Sequence, residues 1–96
     1  MKRSDAIRVL ASSKRELARR FGVERLALFG STARDTARDA SDVDVLVTFA
    51  GPATSKNFFG VKFFLEEALG CTVDLVTDKA VRRELREFIE REILYV

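Results

Sequence analysis

Residues Leu26–Phe49 read LALFGSTARDTARDASDVDVLVTF, and this stretch decides the fold. It predicts an apolar strand, a Gly-Ser turn, a short polar helical segment and a second strand that opens with two carboxylates. Asp42 and Asp44 are two residues apart, so on a strand they project to the same side. Gly30 has no side chain to block a phosphate, and N–H groups at a helix N-terminus attract anions.

Either half of this pattern alone is explained by an ordinary glycine turn or by two solvated aspartates. The two halves together are harder to explain, because Asp is depleted in strands and Asp44 lies inside an apolar run. Two like charges ~4 Å apart repel by about 4 kcal/mol at a protein-surface dielectric. A hard cation such as Mg2+ prefers carboxylate oxygens, shares substrate phosphates and would offset this repulsion. The stretch therefore predicts a site for nucleotide chemistry.

The order of Gly30-Ser31, ten residues and then Asp42-Val43-Asp44 resembles the signature of the polymerase-beta-like nucleotidyltransferase superfamily. The longer string GSTARDTARDASDVDVLV resembles its smallest members, the MNT (minimal nucleotidyltransferase) proteins. These are commonly the antitoxin partners of HEPN-domain toxins. The resemblance extends over nearly the whole chain, from about residue 6 to residue 96.

The resemblance implies a catalytic, metal-binding set of carboxylates: Asp42 and Asp44, with a third carboxylate from a later strand. Asp74 matches the third carboxylate by its position and by its context, VDLV. A salt bridge between Asp74 and a nearby arginine is the alternative interpretation. In the resembled enzymes the set binds Mg2+, and the third member completes a two-metal site or orients the attacking hydroxyl.

The predicted phosphate-binding residues are Gly30, Ser31 and Arg34. The resemblance implies that Ser31 and the Gly30 backbone hold the β- and γ-phosphates of ATP. Arg34 lies one helical turn after Ser31 and could reach the same phosphate, although it could equally form a surface salt bridge. The reaction implied is attack of a hydroxyl on the α-phosphorus, transfer of AMP and release of pyrophosphate.

Composition limits the other function classes. The 96 residues predict a single domain, and the 47% hydrophobic and 33% charged content is typical of soluble globular proteins. No apolar run reaches the ~18–20 residues of a membrane span. The single cysteine, Cys71, cannot form an internal disulfide, which predicts a reducing cytoplasm. Because the chain has no histidine, catalysis is expected to depend on carboxylates. A net charge of +2 predicts no direct nucleic-acid binding, although residues 1–40 are basic enough to help hold a triphosphate.

Apolar periodicity and capping signals predict the elements. The predicted helices are Asp5–Phe21 (capped by Ser4), a turn and short helix over Gly30–Ala37, Asn57–Leu69 and Lys79–Ile93 (capped by Thr77 or Asp78), and the predicted strands are Glu24–Phe29, Asp42–Phe49 and Cys71–Thr77. This order predicts an α/β (α+β) fold: a small mixed sheet of three to four strands, with helices mainly on one face. Val43, Val45 and Val47 mark one buried face of the second strand, so Asp44 must border a cleft on the other.

Two features bear on the partner. Phe59 and Phe63 lie four residues apart on a polar helix side, which predicts a partner contact unless the fold covers them. One helix follows Asp74, which leaves no second domain for an acceptor and favours a protein acceptor. The resemblance implies a tyrosine of a HEPN-domain RNase toxin. Two alternatives stay open: a subunit of a small-molecule (aminoglycoside-type) nucleotidyltransferase, or a non-catalytic antitoxin that acts by binding.

Overall fold

The computed structural model describes residues 1–38, 42–81 and 93–96, which form a four-stranded mixed sheet with helices. The elements are α1 (Arg3–Phe21), β1 (Val23–Phe29), α2 (Gly30–Ala33), β2 (Val43–Phe49), α3 (Ser55–Leu69), β3 (Val73–Thr77), the described part of α4 (Asp78–Val81) and β4 (Leu94–Tyr95). The strand order is β3-β2-β1-β4. Strands β2 and β3 are parallel and joined by α3, whereas β1 is antiparallel to both of its neighbours. The predicted mixed α/β fold is confirmed.

The main core lies between one face of the sheet and helices α1 and α3. Alternation along β2 points Val43, Val45 and Val47 into this core, as the sequence predicts. The helices contribute Ala6, Leu10, Leu17, Val61, Leu65 and Leu69 to it. A smaller cluster on the opposite face contains Ala27 and Leu46. Because α1 and α3 cover one face, the opposite face of β2 and β3 is left to carry polar chemistry.

Both long helices end at their predicted residues, Phe21 and Leu69, and each is followed by a glycine. Gly22 follows α1 with φ 71°, and Gly70 follows α3 with φ 71°, both in the left-handed region that favours glycine. Thr54 caps the N-terminus of α3, because its hydroxyl accepts a hydrogen bond from the Asn57 N–H at 3.1 Å. The helix therefore starts at Ser55, two residues before the predicted start. Each of the three predicted strands begins within two residues of its expected position.

The predicted start of α1 is wrong. The helix begins at Arg3 rather than Asp5, with Lys2 in the capping position and no capping bond from its side chain. Ser4 lies inside the helix and does not cap it. The Arg3 N–H instead donates to the Asp35 carboxylate at 3.0 Å. A residue distant in sequence therefore replaces the local cap that the pattern suggested.

Two further boundaries differ from prediction. Helix α2 ends at Ala33 rather than Ala37, and a turn with Asp35 at φ 61° follows it. Thr77 caps α4, since its hydroxyl accepts from the Ala80 N–H at 3.3 Å. Most of the predicted helix Lys79–Ile93 lies at 82–92, outside the described residues. Its predicted end is wrong, because Ile93 is not helical and leads directly into β4, a strand that the sequence patterns did not indicate.

The outer side of α3 carries the aromatic pair. Phe59 is 47% exposed and Phe63 is 62% exposed, with their rings stacked at a centroid distance of 6.2 Å. The fold therefore leaves both rings uncovered within the part of the chain that the structure describes. Their contact with a partner stays a prediction. Among the described residues, no helix has the length and apolarity needed to cross a membrane.

Candidate functional site

The site is organised by the pairing of β2 with β3. In the parallel register Asp44 lies directly beside Asp74, and both point away from the face that α1 and α3 cover. On its other side Asp44 is paired with Phe29, the last residue of β1. The two carboxylates thus meet where β1 passes into α2. Two of the three predicted acidic residues are brought together by strand register alone.

Gly30 lies against the Asp44 carboxyl group. A Cβ atom built on Gly30 would stand 2.1 Å from Oδ2 of Asp44, and the glycine itself has φ 73°. Any side chain at this position would therefore displace the carboxylate and would also strain the backbone. From the sequence, the glycine at position 30 is explained by the space that it leaves for a phosphate. The structure adds a second reason for glycine, which is space for Asp44.

The surroundings of Asp44 raise its pKa to about 6 from an ordinary value of 3.8. Burial is the main cause, followed by the negative charges of Asp74 and Asp42. A hydrogen bond with Asp74 favours the protonated form further, and the positive charge of Arg34 acts in the opposite direction. Four of the predicted site residues therefore interact electrostatically through one carboxyl group. Perturbed carboxyl groups of this kind cluster at functional sites.

The carboxylates do not form a closed metal cage. Asp42 is exposed and lies one residue before β2, whereas Asp44 is partly buried within it. Over residues 1–38, 42–81 and 93–96, no three acidic, cysteine or histidine side chains stand close enough to hold a metal ion. The arrangement is a pair of neighbouring carboxyl groups, Asp44 and Asp74, with the charge of Asp42 near it.

Helix α2 holds the predicted phosphate-binding residues at the edge of this pair. Thr32 and Ala33 are buried and anchor the helix in the protein, while Ser31 is partly buried. The Thr32 hydroxyl has no hydrogen-bond partner within the described part of the chain. The Arg34 N–H closes the helix by donating to the Gly30 carbonyl oxygen at 3.1 Å. The predicted nucleotide-binding residues therefore lie on one short, anchored segment beside Asp44.

Cys71 has the wrong electrostatics for a nucleophile. Burial raises the pKa of its thiol, and the charges of Asp42 and Glu66 add to this, while the terminal amine opposes it. A reactive cysteine needs a lowered pKa. Cys71 lies two residues before β3, and these surroundings favour a structural role over a nucleophilic one.

Sequence reasoning missed Asp35, which lies in the loop immediately after α2. Its φ of 61° places it in the left-handed region, where Asp is among the few tolerated side chains other than glycine. Its carboxylate accepts from the Arg3 N–H. An Asp at the end of a short helix is a weak local signal for such a turn. Nothing local could have indicated the partner 32 residues earlier.

Comparison with known proteins agrees with this geometry. A family model described as "Nucleotidyltransferase domain" matches residues 10–96. The chain belongs to the nucleotidyltransferase domain family. This nucleotidyltransferase domain is 38% identical over 88 residues to the protein adenylyltransferase MntA of Thermococcus cleftensis, covering 92% of the chain and 89% of that protein.

Solved structures share the fold. One, described as a proposed minimal nucleotidyltransferase, superposes with a TM-score of 0.80 at 35% identity and covers 98% of this nucleotidyltransferase domain and 95% of that chain. Another is an MNT antitoxin in complex with a tri-AMPylated HEPN toxin of Shewanella oneidensis. It has a TM-score of 0.64 at 20% identity and covers 92% of this chain and 69% of that chain, a likeness of fold.

Proposed function

We propose that this nucleotidyltransferase domain transfers AMP from ATP to a hydroxyl group of a partner protein and releases pyrophosphate. The observation that carries the proposal is the Asp44–Asp74 carboxyl pair, formed by strand register, with Asp44 against Gly30. The similarity to a protein adenylyltransferase supports AMP as the transferred group and a protein as the acceptor. The partner we propose is a HEPN-domain toxin, as in the complex of similar fold, with a tyrosine as the acceptor residue.

The carboxyl pair fits a magnesium ion. Mg2+ usually binds one or two carboxylates together with substrate phosphates and water, so a three-ligand protein cage is not required. Two neighbouring carboxyl groups, one of them with a raised pKa, are an arrangement that a divalent cation stabilises. We propose that Asp44 and Asp74 hold Mg2+, with Asp42 beside them. When bound, the ion would neutralise phosphate charge in the displacement.

The other residues would position the reactants. The α2 backbone at Gly30 and the Ser31 hydroxyl would hold the β- and γ-phosphates, and Arg34 would add a positive charge beside them. Asp74 is more exposed than Asp44, so it is placed to orient the attacking hydroxyl. In the step itself the acceptor oxygen forms a bond to the α-phosphorus as the bond to the bridging oxygen breaks. The hydroxyl proton passes to a carboxylate or to water, and pyrophosphate leaves.

The test compares three tagged proteins: wild type, Asp44→Asn and the control Glu67→Gln. Glu67 is exposed on α3, so the control removes one negative charge away from the carboxyl pair. Each protein is used to capture partners from native lysate, and the captured proteins are incubated with ATP labelled on the α-phosphorus. We expect label and the mass of AMP on one captured HEPN-type protein with wild type and Glu67→Gln, and none with Asp44→Asn.

The other outcomes separate the alternatives. Equal capture of an unlabelled partner that is neutralised by both wild type and Asp44→Asn would replace the proposal with an antitoxin that acts by binding. Label that appears only in small molecules would indicate an aminoglycoside-type enzyme. A cytoplasmic location and a single domain over residues 1–96 stay predictions.

A further inference from the structure

The first residue of α1 is joined to the loop that follows α2. The Arg3 N–H donates to Oδ1 of Asp35 at 3.0 Å, and the Arg3 guanidinium Nη1 donates to the Ala33 carbonyl oxygen at 3.4 Å. Lys2, at the capping position, gives no side-chain bond of its own. These two hydrogen bonds, here called the Arg3–Asp35 link, therefore tie α1 to the segment that carries Gly30 and Ser31.

Asp35 also sets the backbone of that loop. Its own N–H donates to the Thr32 carbonyl oxygen at 3.1 Å, and its left-handed φ of 61° turns the chain out of α2. Immediately after it, the Thr36 N–H donates to the Ser31 carbonyl oxygen at 2.9 Å. The backbone of Asp35 thus forms the bend after α2, while its carboxylate reaches the first residue of α1.

We propose that Asp35 is a positioning residue for the nucleotide, acting through the Arg3–Asp35 link. The proposal rests on the proposed function, because it assigns Gly30 and Ser31 to phosphate binding. A loop held in its binding conformation before the ligand arrives loses less conformational entropy on binding. The link holds α2 against α1 and so keeps the Gly30 backbone beside Asp44. Asp35 itself does not contact the phosphates.

Three substitutions at Asp35 separate its carboxylate from its backbone conformation. Asp35→Asn keeps a side-chain oxygen acceptor and tolerates the left-handed region, so ATP affinity should stay within about threefold of wild type. Asp35→Gly permits the same φ but removes the acceptor, and Asp35→Ala removes both. We expect both to weaken ATP binding by about tenfold, because the loop must then be ordered by the ligand.

A matched pair at Arg3 tests the other end of the link. Arg3→Ala removes the guanidinium but keeps the backbone N–H that donates to Asp35. Arg3→Pro removes the N–H as well, at the first helical position, where proline is well tolerated. Lys2 already has the extended conformation that a following proline requires. Arg3→Pro should therefore bind ATP more weakly than Arg3→Ala, with no further loss when it is combined with Asp35→Gly, which removes only the acceptor of that N–H.

The experiment measures ATP affinity by calorimetry with Mg2+, the KM for ATP and kcat of AMP transfer, the melting temperature, and hydrogen exchange of amides 34–36 without ATP. We expect a higher Kd and KM, little change in kcat, and faster exchange of these amides in Asp35→Gly, Asp35→Ala and Arg3→Pro. A lower melting temperature with unchanged ATP affinity would overturn the positioning role. Failure of wild type to bind ATP would overturn the proposed function, and the exchange data would still decide whether the link orders the loop.

Discussion

At the scale of single residues, the protonation of Asp44 couples the site to stability. Its pKa is raised to about 6 in the folded protein, against 3.8 for an ordinary aspartate. Between these two pH values the folded chain holds a proton that the unfolded chain has lost, so a rise in pH destabilises the folded state. A shift of one pKa unit corresponds to about 1.4 kcal/mol. Because the carboxyl group is partly exposed, we expect the free energy of unfolding to decrease by only about 1–2 kcal/mol.

The measurement is urea unfolding of wild type and Asp44→Asn in the presence of a chelator, from pH 4 to pH 7. The free energy of unfolding of wild type, relative to Asp44→Asn, should fall as pH rises through about 6. Addition of Mg2+ at pH 7 should stabilise wild type more than the variant, because the ion offsets the charge of the pair. Parallel pH curves for the two proteins would show that Asp44 titrates normally.

A second residue-scale prediction concerns the space beside Gly30. Gly30 and Gly70 have nearly the same φ, 73° and 71°, but a Cβ atom meets Asp44 at the first position and nothing within 4 Å at the second. Gly70→Ala should cost about 1–2 kcal/mol for the left-handed alanine alone. Gly30→Ala should lower the free energy of unfolding by at least about 2 kcal/mol more than Gly70→Ala does, because the alanine also displaces the Asp44 carboxylate.

The difference between these two variants isolates the contact with Asp44, and chemical denaturation measures it. Asp44→Ala should remove most of the extra cost in the Gly30→Ala background, since it empties the contested space. Equal destabilisation by Gly30→Ala and Gly70→Ala would mean that the carboxylate moves aside freely. In that case Gly30 would not fix the position of Asp44.

At the scale of elements, α1 and α3 approach closely at Gly60. A Cβ atom on Gly60 would lie 2.4 Å from the ring of Phe21, at the end of α1. Gly→Ala in a helix usually stabilises by about 0.5–1 kcal/mol. Here we expect Gly60→Ala to destabilise, since the aromatic ring must leave its place.

The effect of Gly60→Ala on stability should change from destabilising to neutral or stabilising when the Phe21 ring is removed. Phe21→Ala is destabilising by itself, and the double variant should be at least as stable as the Phe21→Ala single variant. A double-mutant cycle measured by thermal or urea unfolding gives the coupling between the two positions. Additive effects would exclude the steric explanation.

Most elements could be predicted because their signals are local. Gly22 and Gly70 end the two long helices in the left-handed conformation, and alternation along β2 separates Val43 and Val45 from Asp44. These features depend on backbone sterics and on the period of side-chain burial, which a sequence displays directly.

The features that could not be predicted depend on contacts between distant residues. The cap of α1 comes from Asp35, 32 residues away, and overrides Ser4. The register that places Asp44 beside Asp74 is set by how α3 returns the chain, which apolar periodicity does not determine. Asp74 could be identified from its VDLV context and the family resemblance, but its direct pairing with Asp44 could not.

At the scale of the whole molecule, the sheet is completed by the last residues of the chain. Leu94 and Tyr95 pair with β1, and the Val96 N–H donates to the Leu26 carbonyl oxygen at 3.0 Å. Local propensity does not reveal β4, because two residues form a strand only where an edge is already present. The pairing joins the first strand to residues 94–96 and covers part of the edge of β1.

Removal of residues 94–96 should therefore destabilise the fold by about 2–4 kcal/mol, from lost backbone hydrogen bonds and the half-buried Leu94 side chain. It should also promote self-association, since an uncovered strand edge can pair with another chain. Tyr95→Ser is the matched control, because it keeps the backbone and changes a side chain that is 58% exposed. The measurements are urea unfolding and sedimentation velocity.

The same truncation tests whether the site depends on the whole sheet. Strand β1 ends at Phe29, which pairs with Asp44 and leads directly into Gly30, so loosening β1 disturbs the site from the side opposite Asp74. The truncated protein should bind ATP more weakly than Tyr95→Ser at a temperature where both remain folded. If the two proteins match in ATP affinity and in stability, β4 only covers an edge. The pairing of β1 with β2 would then be sufficient to hold Asp44 against Gly30.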